Sequence, residues 1–371
     1  MRWKTLAKFT LFLFFGVLIL RLLLFVTEPY LFGNNIWVKD RVHRSIAGLR
    51  AAPKGRMLLV FVGASEMETG FDPVYFDELN EAAGIPTWSL NLGIRNNGTF
   101  LPLYFGRIEA ELVAKGLRPS AIIVQIPISR LTQKALAHFG ETRKTHDLVA
   151  TVFDHRAFMA NYLDTETKLT LAVNKYFLGE RSLMQLPLLV DGWMPSLTNN
   201  KPRDEFLAAR GTFTEAGILD LPGWRVEDRG SFYRTGGDYR SVMMAARRFI
   251  TNPENFRFLV RAEIHCCDFR NLNLSKPYVL KVQQALVRLA QHTDRLIIVT
   301  MPENPVYSRA ESNAKIRQTT FDEMAAASGG VHLDLSGTVQ APMFVDLQHL
   351  TLGGVRTFAE QLATRMRPLL N

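Results

Sequence analysis

Unbroken apolar runs alternate with helical patterns along most of the chain. "MLLVFVG" (Met57–Gly63) has no polar break, as expected for a strand buried on both faces. "PVYFDELNEAAG" (Pro73–Gly84) opens with proline and closes with glycine, the usual punctuation of a helix. "TWSLNLG" (Thr87–Gly93) predicts a second strand, "FLPLYFGRIEAELVAKG" (Phe100–Gly116) a helix, and "AIIVQIP" (Ala121–Pro127) a third strand. After Arg130 the alternation stops, and from Leu131 to about Lys276 the chain holds mixed helical pieces, aromatics and loops. It then resumes with a helix at Pro277–His292, a strand at Arg295–Pro302, a helix ending in "TFDEMAAASGG", a strand at Val331–Gly337 and a last helix.

This order predicts an α/β fold, a three-layer α/β/α doubly wound parallel sheet of five strands, flavodoxin-like in its winding. One long, mostly helical insertion at about 131–276 interrupts it. In such sheets ligands bind beyond the carboxyl ends of the strands.

The N-terminus has a different pattern. Arg2, Lys4 and Lys8 precede an apolar stretch, Phe9 to Val26, broken by the single charge of Arg21. That length just spans a bilayer, and the "TEPYLFG" that follows lacks the small-residue site of a cleaved signal peptide. The expectation is a cytoplasmic tail (1–8), an uncleaved transmembrane signal anchor (9–26), a basic stalk (27–56) and an extracytoplasmic, periplasmic domain (57–371). The protein would be single-pass in the cytoplasmic (inner) membrane.

Composition narrows the partners. Hydrophobic residues are 47% and charged residues 21% of the 371, so most of the chain should fold. The net charge of +9 suits an anionic polymer or a membrane surface. No long Lys/Arg run and no nucleic-acid-binding motif is present, so nucleic acid is not an expected partner. The two cysteines, Cys266 and Cys267, are adjacent and offer no disulfide framework. Neither a P-loop nor G-x-G-x-x-G occurs, so no nucleotide cofactor is expected. His265 beside the cysteines has no partner motif, so no metal site is expected either.

Ser65 follows the first strand directly, at the rim where ligands bind. It is either a nucleophile or a residue that caps a turn. A nucleophilic serine needs a base, and of eight histidines His349 has the best company, with Asp346 three residues before it. A carboxylate on one ring nitrogen fixes the tautomer and leaves the other for the serine. The same D-x-x-H spacing occurs at Asp40–His43, so context distinguishes the second copy. It follows the fifth strand and precedes Leu-Thr-x-x-Gly at the start of a helix.

Strand-G-x-S at the start and D-x-x-H-L-T-x-x-G near the end resemble the first and fifth blocks of the SGNH (GDSL-type) hydrolase superfamily. The second block resembles "NLGIRNNGT", Asn91 to Thr99, and its best register puts Asn96 where a backbone N–H faces the oxyanion, with Asn97 and Gly98 as alternatives. The third block departs: "IIVQIPISR" has no asparagine, and Ser129 or Arg130 takes its place. Gly-x-Ser-Glu, that departure, the anchor and the insertion together resemble the DltD-like and AlgJ/AlgX-like branch.

The resemblance implies a membrane-anchored serine acyltransferase or esterase acting on O-acyl groups, O-acetyl first among them, of a cell-surface or exported polysaccharide of the cell envelope. Ser65 would be the nucleophile, His349 the base and Asp346 its orienting carboxylate, with Asn96 or Asn97 at the oxyanion. A membrane-bound O-acyltransferase would be its partner. Two alternatives stay open: a carbohydrate deacetylase with the same chemistry, and a non-catalytic partner subunit. Glu66 and Asp334 are set aside here, as a residue favouring a helix N-terminus and a strand-end cap.

Overall fold

A computed structural model of the chain describes residues 8–19, 42, 45–93, 101–139, 272–305, 311–344 and 348–370. It divides into two compact units, Val42–Thr142 with Asp204–Asn371, and Met1–Arg41 with Arg143–Arg203.

The first unit is built on five parallel strands: β1 (Met57–Gly63), β2 (Thr87–Gly93), β3 (Ala121–Gln125), β4 (Leu296–Thr300) and β5 (Val331–Asp334). Their order is β2-β1-β3-β4-β5. The chain therefore winds outward from β1 to β2, then crosses back to β3, and the reversal lies between β1 and β3. Met57 pairs with Thr87 and Gly63 with Gly93 on one side of β1, while Leu59 pairs with Ala121 on the other. Every residue of β3 and β4 is buried, which explains their unbroken apolar runs. The edge strand β5 is short and leaves Val331 exposed.

Seven helices with defined bounds accompany the strands: α1 (Ser65–Gly70), α2 (Pro73–Ala82), α3 (Leu101–Lys115), α4 (Gln133–Phe139), α5 (Lys276–Ala290), α6 (Glu311–Ala327) and α7 (Leu352–Leu370). One face of the sheet presents Leu59, Phe61, Ile123, Ile297 and Val299 to Phe71, Phe76, Phe358, Leu362 and Met366. Phe61 and Phe71 stack with ring centroids 3.8 Å apart. Alternate residues such as Val60, Ile122 and Ile298 are equally buried on the opposite face.

Helix α2 starts where its sequence says it should. Asp72 accepts from the N–H of Val74 (3.0 Å) and of Tyr75 (3.2 Å), with Pro73 in the first turn. Its buried Asp77 accepts from Thr87 Oγ1 (2.7 Å), Ser89 Oγ (2.6 Å) and Ser89 N (3.0 Å), which locks α2 onto β2.

The start and end of the insertion meet. Thr132 and Leu274 form an antiparallel bridge, Gln133 N donates to Asn273 O (2.9 Å) and Ser275 N donates to Leu131 O (2.8 Å). The segment between therefore leaves and rejoins the sheet at one place, between β3 and α5. Residues 140–271, which hold Cys266, Cys267 and His265, lie outside the described residues. Val42, Ile46 and Leu49, in the stretch read as a stalk, are buried.

Of the expected span Phe9–Val26, residues 8–19 are described, as a helix, and residues 20–26 lie outside the description. Among the described residues no helix is long and apolar enough to cross a membrane. The helix of residues 8–19 exposes Phe9, Leu11, Phe12, Leu13 and Phe14.

Candidate active site

The chain reaches Ser65 through a sharp change of conformation. β1 ends at Gly63, Ala64 is extended (φ −87°, ψ −159°), and Ser65 is the first residue of α1. The cap position of α1 is thus Ala64, which has no side-chain oxygen to spend on a backbone N–H. Ser65 does not fill the capping role that a turn serine would have. Its half-buried hydroxyl donates instead to Glu66 Oε2 at 3.4 Å.

A helix of six residues, "SEMETG", has little intrinsic stability. Neighbouring side chains hold it. Gln125 Oε1, at the end of β3, accepts from Ala64 N at 2.7 Å. Asn91, wholly buried on β2, donates through Nδ2 to the carbonyls of Met67 (2.9 Å), Glu68 (3.3 Å) and Phe71 (3.0 Å). Its Oδ1 accepts from Gly93 N at 2.8 Å. Thr69 Oγ1 donates back to Ser65 O at 2.9 Å. A Cβ on Gly93 would fall 2.2 Å from Glu68 N, so β2 and α1 approach at a distance that only glycine permits. These ties place Ser65 beyond the carboxyl end of β1, at the reversal of the sheet's winding.

A small cleft of about 30 Å³ opens beside Glu66, the residue after Ser65; Ser65 itself does not line it. Gln125, which ends β3, and Ile126 to Ser129 after it form one wall, and Thr300, which ends β4, and Met301 to Glu303 after it form another. Glu66 from α1, Arg317 from α6 and Gln348 complete it. Arg317 Nη1 donates to Glu303 Oε2, forming a largely buried ion pair. Burial pushes the Glu303 carboxyl above its ordinary range; Arg317 opposes the shift, and the negative charges of Asp334 and Glu66 add to it.

Behind that wall, Thr300 Oγ1 and His332 Nε2 are 2.9 Å apart, and His332 Nδ1 lies 2.8 Å from Asp322 Oδ1. A carboxylate accepts only, so Nδ1 carries the proton and Nε2 accepts from the threonine hydroxyl. Among the described residues no group of three His, Cys, Asp or Glu side chains is placed to hold a metal ion.

The structure brings some of the expected residues to this place. Ser129, the stand-in for the third-block asparagine, is buried and lines the cleft, while the neighbouring Arg130 is half-exposed and does not. His349 directly follows the cleft residue Gln348; it is half-buried, and its Nε2 is shielded from solvent. Leu350 pairs with Phe344, and its Cδ1 lies 3.6 Å from where a Cβ on Gly70 would be. The His349 segment therefore packs against the end of α1. The Ser65 hydroxyl nevertheless bonds to Glu66, not to His349. Asp346, Asn96 and Asn97 lie outside the described residues.

Glu66 has a larger place than helix-end charge alone: it is buried, lines the cleft and accepts from Ser65. Asp334 behaves as a cap, its Oδ1 accepting from Ser336 N at 2.9 Å. The sequence reading missed Gln125, Glu303 and Arg317. Gln125 had a signal, as the one polar residue in "AIIVQ". Glu303 had another, since it follows β4 much as Ser65 follows β1. Arg317 had none. No family model matches the chain, and no curated protein matches it.

Proposed function

We propose that this protein is a membrane-anchored, extracytoplasmic serine acyltransferase or esterase acting on O-acyl groups of a polysaccharide, in the manner of the SGNH superfamily. The observation that supports this best is the place of Ser65. It stands at the reversal point of a β2-β1-β3-β4-β5 sheet, on a short helix held by buried side chains, and it caps nothing.

In this reading Ser65 Oγ attacks the acyl carbonyl while His349 takes its proton, and Asp346 holds the imidazole in the right tautomer. The C–O bond to the donor alcohol breaks, and His349 returns the proton to that oxygen. A second hydroxyl then attacks the acyl-serine, losing its proton to His349; the bond from the acyl carbon to Ser65 Oγ breaks, and His349 returns the proton to that oxygen. Ala64 N–H is already taken by Gln125. The oxyanion would then rest on N–H groups of the first turn of α1 and on that of Asn96 or Asn97. For this to work Ser65 must turn from Glu66 toward His349 when substrate binds, a tightening common in occupied sites.

The exposed apolar side chains between Phe9 and Ile19 support anchoring at a membrane, where a membrane-bound O-acyltransferase would be the partner. Turnover of a chromogenic acetyl ester tests the chemistry. Ser65→Ala and His349→Ala should each abolish it, and the double variant should be little worse, because such residues fail as a unit. Unchanged turnover in Ser65→Ala would leave a non-catalytic subunit. With a glycan present, O-acetylated product marks a transferase, and free acetate alone marks a deacetylase.

A further inference from the structure

Asp72, Asp77, Glu111 and Glu303 show how this domain treats a buried carboxylate. Asp72 takes two backbone N–H groups, Asp77 takes two hydroxyls and an N–H, and Glu111 and Glu303 each take an arginine. Glu66 departs from that rule. It is 8% exposed, yet its hydrogen-bond partner among the described residues is the Ser65 hydroxyl alone, at 3.4 Å. Arg317, which lines the same cleft, gives Nη1 to Glu303 instead. A carboxylate buried with so little support costs stability, so the fold alone does not account for it.

The single proton of a hydroxyl goes to one acceptor. A carboxylate only accepts, so Ser65 is the donor and its proton points to Glu66. Base catalysis needs that same proton on an imidazole nitrogen. The two arrangements exclude each other, and the bond to Glu66 must break before Ser65 attacks. A carboxylate is a weaker base toward a serine than an imidazole is, which makes this contact a restraint rather than a second route. Both residues stand in the first turn of α1, which Gln125 and Asn91 hold, so the carboxylate stays beside the hydroxyl.

Resting on the acyl-transfer reading, we propose that Glu66 is a positioning residue: it holds the Ser65 hydroxyl in a resting state, turned from His349, and slows acylation until that bond is broken.

The first turnover of 4-nitrophenyl acetate by the full-length, detergent-solubilised protein tests this. Ser65 Oγ bonds to the acetyl carbon, the bond to 4-nitrophenolate breaks, and the serine proton passes to His349. Nitrophenolate release in that turnover gives the acylation rate, and mass spectrometry of the quenched protein shows whether Ser65 carries the acetyl group. Glu66→Met keeps the bulk and removes the acceptor. It should acylate about threefold faster or more, the worth of one long hydrogen bond. Glu66→Gln keeps a carbonyl acceptor without the charge, a weaker one, and should fall between wild type and Glu66→Met. Melting temperatures identify folded variants; a residue serving the fold alone would shift them without raising the rate. A rate in Glu66→Met no higher than wild type, with Ser65 acetylated in both, overturns the inference and leaves the acyl-transfer reading standing. Equal rates in Glu66→Gln and Glu66→Met also overturn it, since charge and not the hydrogen bond would then be the brake. If Glu66→Met does not fold, Glu66→Gln must still exceed wild type. Ser65 left unacetylated in all three proteins overturns the acyl-transfer reading and this inference with it.

Discussion

The backbone N–H of Ala64 donates to Oε1 of Gln125 at 2.7 Å, and this bond joins the carboxyl ends of β1 and β3 where the sheet reverses its winding. It fixes the residue immediately before the proposed nucleophile. Gln125→Met keeps the bulk of the side chain and removes the acceptor. The Ala64 N–H is then left buried and unpaired, at a cost of about 1–3 kcal/mol. Urea unfolding should show a lower midpoint with an unchanged m-value, and ester turnover should fall with it. Full turnover in a destabilised variant would reduce Gln125 to a fold residue.

Close approach at Gly93 gives a second expectation. A Cβ there would lie 2.2 Å from Glu68 N and 2.6 Å from Glu68 Cα, so backbone rather than a flexible side chain would have to move. Gly93→Ala should cost at least the ~1–3 kcal/mol typical of overpacking and displace α1. Gly48 is the control, since nothing lies within 4 Å of its added Cβ. With φ −62° and ψ −23°, Gly48→Ala should be neutral or stabilise by about 0.4–1 kcal/mol. Melting temperatures of the two variants should separate clearly.

The contrast between β1 and α1 shows what the residue pattern could and could not reveal. β1 was legible to the residue at Met57–Gly63, and β3 and β4 nearly so, because strands buried on both faces must be apolar throughout. Helix ends were legible at Gly84 (φ 78°) and Gly116 (φ 58°), where the left-handed backbone favours glycine. α1 was not, since the pattern predicted no helix before Pro73. No periodicity marks "SEMETG" as helical; its support comes from Asn91 and Gln125, distant in sequence. The cleft was hidden for the same reason. Glu303 and Arg317 meet only because α6 packs against the end of β4, while Ser65 could be placed by its strand alone.

Glu303 should make stability depend on pH in an unusual direction for a carboxylate. Burial raises its folded-state pKa above the ordinary value of 4.5. The native state therefore binds this proton more tightly than the unfolded chain does. The contribution is fully present below about 4.5 and is lost as pH rises through the folded pKa. Unfolding free energies of wild type and Glu303→Gln, compared from that pH to neutrality, should show wild type losing ground as pH rises. The opposite slope would mean that Arg317 outweighs burial.

The Thr300–His332–Asp322 chain predicts a separate, coupled response. His332 is held at both ring nitrogens and meets Phe321 edge-on, with centroids 5.4 Å apart, so it ties β4, β5 and α6 together. Thr300→Val preserves shape but leaves Nε2 without its hydroxyl, and His332→Leu leaves the buried Thr300 hydroxyl without its acceptor. Each should cost about 1–3 kcal/mol. The double variant should cost less than their sum, because the second change removes the group the first left unsatisfied. Asp322 is tested by pH. Its hydrogen bond to His332 is the main cause that lowers its pKa below the ordinary 3.8. The native state binds this proton less tightly, so its contribution is present above about 3.8 and is lost as pH falls through the folded pKa. The carboxylate is half-exposed, at 52%, so solvent screening keeps the effect to about 1 kcal/mol or less. The stability gap between wild type and Asp322→Asn should therefore be small at neutral pH and close in strong acid. Additive costs for Thr300→Val and His332→Leu would show that the two side chains act independently, and the chain of hydrogen bonds would then contribute nothing as a unit.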